Sequence, residues 1–434
     1  DSIITRIWLS TSELPKKGIE HAPVTSKWKT PAIVMVAGCL ICMIGFGVRS
    51  TFGLFLTPMT GAIGWDRETY ALAIAIQNLL WGFMMPVAGI LADRYGYVLV
   101  IMGGAVVYAL GILGMAVTES TTVLYLTAGV LTGAGVSFTA FTLIATAMAR
   151  VVGPEKRSLV FGIGAAATSF GQVLFSPITQ GFIDGYGWEN GLYFLLFSTL
   201  IIIPLALLLP FSPSVKGEDE AGQTVSEAIR EASQHRGYIL LTTGFFVCGF
   251  HVAFIGVHFP AYVTDLGFAP SVGAWSIALI GVFNIVGSIL SGMYGRRGVK
   301  KLGLSFIYAA RAVVIFILLV MPKTELTLYL FAAAMGVLWL STVPLTNMVV
   351  AQIFGIRYMA TLYGFVFVSH QLGSFLGVWL GGFLYDMTGT YDLVWYAGVV
   401  LGLVAALVHL PIDEKPLARL SAASVERSGN ATSQ

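Results

Sequence analysis

Charge is scarce in this chain. Of its 434 residues only 11% are Asp, Glu, Lys or Arg, against about 25% in a soluble domain, too few for a water-facing globular surface. The shortage is most severe for acids inside apolar runs. Asp66, Glu68, Asp93, Asp184, Asp265, Glu325, Asp386 and Asp392 all stand at the ends of such runs or between them. A formal net charge of +2 leaves no basic stripe for nucleic acid and no acidic tail. Cysteine is nearly missing too: Cys39, Cys42 and Cys248 sit in apolar runs without metal-ligand spacing to histidine, so they read as packing residues. No nucleophile elbow, phosphate loop or metal-spaced cluster occurs, so an enzyme, a metal centre and a cofactor are not expected. The first 30 residues hold Lys16, Lys17, Lys27 and Lys29 but no apolar signal-peptide core, and they read as a cytoplasmic tail.

What is present is apolar length. Hydrophobic residues make up 56% of the chain. At about 20 residues per membrane crossing, twelve spans fit, near 32–58, 68–92, 97–118, 121–149, 157–184, 189–212, 237–264, 270–293, 302–321, 325–352, 358–385 and 391–412. Basic residues fall on alternate connections: Arg94, Arg150 with Arg157, Arg230 with Arg236, the cluster Arg296, Arg297, Lys300 and Lys301, then Arg357. The positive-inside rule makes those connections and both termini cytoplasmic, with Arg67 and Lys323 as exceptions on the outer side. The expected organisation is a tail over 1–30, one six-helix bundle over 31–212, a cytoplasmic linker over 213–236, a second bundle over 237–412 and a tail over 413–434 that reads as disordered. Within the linker, Thr224 to Gln234 suits a surface helix.

The two bundles are related in sequence. Gly89-Ile-Leu-Ala-Asp93-Arg94-Tyr-Gly96 ends the second run, and a degenerate copy, Ser291-Gly-Met-Tyr-Gly295-Arg296-Arg297-Gly298, lies 202 residues on. The same offset carries Pro58 onto Pro260, Gly162 onto Gly364, Gly171 onto Gly373 and Asp184 onto Asp386. This is a repeat of six-helix halves. The loop resembles the signature loop of the major facilitator superfamily of secondary transporters. That resemblance implies an all-α fold of twelve transmembrane helices in two pseudo-symmetric bundles. It also implies a cytoplasmic gate at Gly89, Asp93, Arg94, Gly96, Arg296 and Gly298, in which the acid accepts from a helix N-terminus of the other half.

Polar groups inside lipid are costly and are read first as functional. Arg49 lies in span one within Gly45-Phe-Gly-Val-Arg49, and the repeat pairs it with His251 of span seven. With no interior acid to neutralise it, a guanidinium invites an anion from outside, a carboxylate above all; the plainer alternative is an arginine reaching the interface. Arg311, mid-span nine, is open to bracing or to substrate contact. His251 and His258 share a helix face and are candidates for a coupled proton. His370, Gln371, Gln77, Gln172, Asn284 and Thr342 offer hydrogen bonds, while Trp81 and Trp339 offer apolar walls.

Gly249-Phe-His251 to His258-Phe-Pro260, Ser369-His370-Gln371 and Arg49-Ser50-Thr-Phe-Gly resemble bacterial relatives of the monocarboxylate transporters, although the acid and arginine of that group's eighth span are missing here. The resemblance implies inner-membrane transport of a small organic anion with proton symport, by a monomer in contact with lipid. The alternative is a proton-coupled drug or metabolite exporter, whose span-four arginine and span-five Gly-Pro step are degraded here to the neighbourhood of Gly129 and to Ser176-Pro177.

Overall fold

A computed structural model describes residues 30–152, 157–210 and 223–417. Among them all regular structure is helical, as a lipid solvent requires of a chain whose backbone groups must be satisfied within each segment. Twelve helices are long and apolar enough to cross a membrane: Pro31–Ile63, Arg67–Tyr95, Tyr97–Val117, Thr121–Ala149, Leu159–Tyr186, Trp188–Ala206, Arg236–Asp265, Pro270–Gly295, Lys300–Val320, Glu325–Phe354, Met359–Thr388 and Asp392–His409. The protein is a multi-pass membrane protein, and these helices are called spans one to twelve. Residues 1–29 of the first tail, 418–434 of the second and the first part of the linker lie outside the described residues. The linker helix, Val225–Gln234, closes its start with a capping box in which Thr224 and Glu227 serve each other's backbone. Those bonds from Thr224 hold the Glu227 carboxyl below the usual range.

Span one runs past the expected end. At Thr51 its helix tightens into a 3-10 turn, Phe52–Phe55, and resumes to Ile63, where Gly64 at φ 80 stops it. Spans four and ten are also interrupted, at positions the repeat equates: around Thr139 and Ala140, and at 339–341. Span four carries in addition a π-helical turn, Tyr125–Leu131. Its displaced carbonyls are taken up by Gln77, whose Nε2 donates to Ala128 O at 3.1 Å, and by Thr132, whose hydroxyl donates to Thr127 O at 2.9 Å. The repeat also governs packing within each half. Gly171 lets span five lie on Met43 of span one, and Gly373 lets span eleven lie on Phe246 of span seven; a Cβ at either would strike backbone atoms.

Spans two and eleven, and five and eight, form the seam between the halves. The start of span one and the end of span twelve lie on one face, here the terminal face, and the turn between spans one and two lies on the far face. The seam is tight at mid-depth and towards the far face. A Cβ on Gly82 would come within 2.8 Å of Gln371, and one on Gly382 within 2.8 Å of Arg67 O and Glu68 Cα. Towards the terminal face it opens: Cβ atoms on Gly89, Gly162, Gly292 and Gly364, from all four seam helices, would meet nothing within 4 Å. The contacts between the halves at these glycines thus lie at mid-depth and at the far face.

Candidate functional site

Arg49 ends the long helical part of span one, where the guanidinium is favoured by the helix's negative end. It is half-buried. Its Nη2 donates to Asn78 Oδ1, and its Cζ lies 4.3 Å from the Trp81 ring centroid and 5.9 Å from that of Phe46. Trp81 meets Phe367 of span eleven edge-on at 5.4 Å, and Phe367 stacks on His370 at 5.6 Å. The aromatic wall thus crosses from one half to the other. Next along the same helix, Gln371 reaches Gly82, and its Oε1 is occupied by His370 Nδ1 at 3.1 Å and the Ser374 hydroxyl at 3.2 Å.

Three donors in this region have no acceptor: Arg49 Nε, Trp81 Nε1 and Gln371 Nε2 are all buried and unpaired. Buried N–H groups are seldom left so. Among the described residues the ion pairs are Arg67–Asp265 and Lys415–Asp413, so no carboxylate neutralises Arg49. Unpaired donors thus lie on residues beside or near a fixed positive charge that no described carboxylate neutralises.

Of the remaining residues singled out in the sequence, several are placed elsewhere. His251 does not face Arg49; its Nε2 lies 2.8 Å from Gly398 O, against Gly398 and Gly402 of span twelve. The reason is reach. An arginine in that register can extend to span two, whereas an imidazole on one methylene stays where its Cβ points. His258 is bonded to Val378 O at 2.8 Å and to the Tyr391 hydroxyl at 3.2 Å. Arg311, fully buried, donates from Nε and Nη2 to Leu338 O and from Nη2 to Trp339 O at 2.6 Å, serving carbonyls released by the break in span ten. Trp339 itself packs in the core of the second half. Asn284 accepts from Leu340 N at that break and donates to Ser169 of span five at 3.0 Å, and Gln172 donates to Ile277 O at 2.8 Å, so both tie the seam between spans five and eight. Thr342 bonds Cys248, and Gln77 serves span four as described.

The gate residues behave asymmetrically. Gly96 takes φ 91, which favours glycine, while its copy Gly298 has no positive φ and is needed instead because the Tyr294 ring lies against it. Asp93 accepts from Tyr97 of its own half at 3.3 Å; a Cβ on Gly89 would meet nothing, and Arg94 and Arg296 are exposed. The halves are joined instead at the far face, by contacts only faintly signalled in the sequence. Arg67 pairs with both oxygens of Asp265 at 2.6 and 2.7 Å, donates to Tyr391 and stacks on Tyr385 at 3.8 Å. Asp386 accepts from the backbone N–H groups of Arg67 and Glu68 at 3.2 and 2.7 Å, and Trp379 donates to Glu68. Asp66, the residue that precedes span two, makes no cap of its own, so a carboxylate from the other half caps that helix. The other exception to the charge rule, Lys323, closes the end of span nine by donating to Leu318, Leu319 and Met321 carbonyls. Burial lowers its pKa and Asp392 opposes that.

Comparison with known proteins bears on what this fold does. The family model described as Major Facilitator Superfamily matches residues 37–378 and 241–430. Monocarboxylate transporter 13 of Rattus norvegicus is 26% identical over 355 residues, 80% of each chain. An uncharacterized MFS-type transporter of Bacillus subtilis is 25% identical over 387 residues, 86% of this chain and 92% of the other. Among solved structures, a D-xylose-proton symporter superposes with a TM-score of 0.71 at 14% identity, covering 89% of this chain and 99% of that one. These relatives are transporters by name rather than enzymes.

Proposed function

The chain belongs to the major facilitator superfamily, and from that premise we propose that it moves a small organic anion, a monocarboxylate, across the inner (plasma) membrane by alternating access. The observation that carries this reading is the uncompensated Arg49 with its neighbouring unpaired donors on Trp81 and Gln371. A planar guanidinium with aligned N–H groups suits a carboxylate, and the aromatic wall suits its apolar body. We place the terminal face in the cytoplasm because Arg94, Arg150, Arg236, Arg296, Arg297, Lys300, Lys301 and Arg357 gather there. The moving bodies are the halves over 31–212 and 237–412, acting as a monomer. Proton symport completes the proposal, since an added proton makes the carried pair neutral. His370, which adjoins the donor cluster through Phe367 and Gln371, takes the coupling role in place of His251 and His258.

The test is uptake of labelled carboxylates into proteoliposomes with and without a pH gradient. Losing one charge-assisted hydrogen bond costs about 1.5–3 kcal/mol, so Arg49→Gln is expected to cut uptake by at least roughly tenfold. Unchanged uptake by that variant would move the anion site elsewhere. A stronger response to lipophilic cations would favour an exporter.

A further inference from the structure

We infer that the carried anion is a ring-bearing or similarly bulky apolar monocarboxylate with no ammonium group and no hydroxyl beside the carboxylate. The inference rests on the anion site proposed above and deepens it. Its first support is the inventory of polar atoms. The unpaired groups around Arg49 are donors only: Arg49 Nε, Trp81 Nε1 and Gln371 Nε2. Of the side-chain amide acceptors beside them, Gln371 Oε1 is filled by His370 and Ser374, and Asn78 Oδ1 accepts from Arg49 and keeps one lone pair. A carboxylate satisfies such a set. An ammonium on the next carbon brings three donors and a second positive charge beside Arg49, and a hydroxyl brings a donor that must compete for the single lone pair left on Asn78 Oδ1; a buried donor without a partner is strongly disfavoured. No described acid pairs with Arg49, and none is available to receive an ammonium.

The second support is the wall. Phe46 and Trp81 come from the first half, Phe367 and Tyr363 from the second, with Tyr363 and Phe367 stacked at 6.5 Å and Trp81 edge-on to Phe367 at 5.4 Å. Trp81, Phe367 and Tyr363 are only partly buried, so apolar ring surface is left for a cargo to cover. A two-carbon acid leaves that surface bare, whereas a ring adds edge or face contacts to it. Because the wall is shared between the halves, such a cargo also links them when it binds.

The experiment is competition against uptake of labelled phenylacetate by proteoliposomes holding the full chain, using acetate, 3-phenylpropionate, 3-phenyllactate and phenylalanine. Expected is half-inhibition by 3-phenylpropionate at a concentration at least tenfold below acetate, weaker inhibition by 3-phenyllactate, and none by phenylalanine at matched concentration. Trp81→Ala, with Phe367→Leu as the milder second variant, should narrow the gap between 3-phenylpropionate and acetate. Equal inhibition by acetate and 3-phenylpropionate overturns the ring preference while leaving the anion site in place. Competition by phenylalanine equal to that of 3-phenylpropionate overturns the exclusion of ammonium. If phenylacetate uptake occurs and Arg49→Gln leaves it untouched, the failure is that of the anion site itself.

Discussion

The two interior arginines are held in different ways. Arg311 is held by three hydrogen bonds to Leu338 and Trp339 carbonyls and a Tyr308 ring 5.3 Å away, with Nη1 left buried and unpartnered; Arg49 has one amide oxygen and an aromatic face. Arg311→Met is therefore expected to strip two buried carbonyls of partners at about 1–3 kcal/mol each, lowering the melting temperature in detergent by several degrees. Arg311→Lys should recover little, because a point ammonium cannot reproduce the fork. From the sequence both arginines read as cations stranded in lipid, and Arg311 reads equally as a brace or a substrate contact. The difference turns on the break in span ten, which hydropathy does not register because averaging over Glu325–Phe354 leaves the run apolar despite Ser341 and Thr342. The histidines were illegible for a related reason: a repeat offset gives depth along a helix but not how far a side chain reaches from it.

At the scale of elements, spans two and eleven are antiparallel neighbours, and at the far face the end of one caps the start of the other through Asp386. Asp386→Ala removes a helix cap, worth about 1 kcal/mol, and a shift of that size moves a two-state equilibrium roughly fivefold. Hydrogen–deuterium exchange at the amides of Arg67 and Glu68 is expected to accelerate by that factor, with no such change in span twelve. The spans themselves were well predicted because apolar length and glycine at connections are written directly into the chain; Gly96 marks such a connection at φ 91. The far-face gate was not predicted, since its acids stand at helix ends hundreds of residues apart. Arg67, an outlier in the charge pattern, was the one visible sign.

Across the whole molecule the repeat is kept in architecture and abandoned in chemistry. Asp184 occupies the place equivalent to Asp386, yet it holds only Gln180 of its own helix, and the equivalents of Arg67 and Glu68 are Ala269 and Pro270, the latter with no N–H to donate. One seam is locked by charge and the other by Gln172 and Asn284. Arg67 carries a further consequence, on the orientation proposed above, before the protein ever works. As the first hairpin is threaded into the bilayer during synthesis, that guanidinium has to travel outward against the membrane voltage, at about 2.3 kcal/mol per 100 mV. Arg67→Gln is accordingly expected to be made and inserted at least as well as the native chain, measured as protein recovered from membranes, while losing its hold on Asp265. A chain that keeps such a residue is slower to assemble so that, once assembled, its outer door can shut.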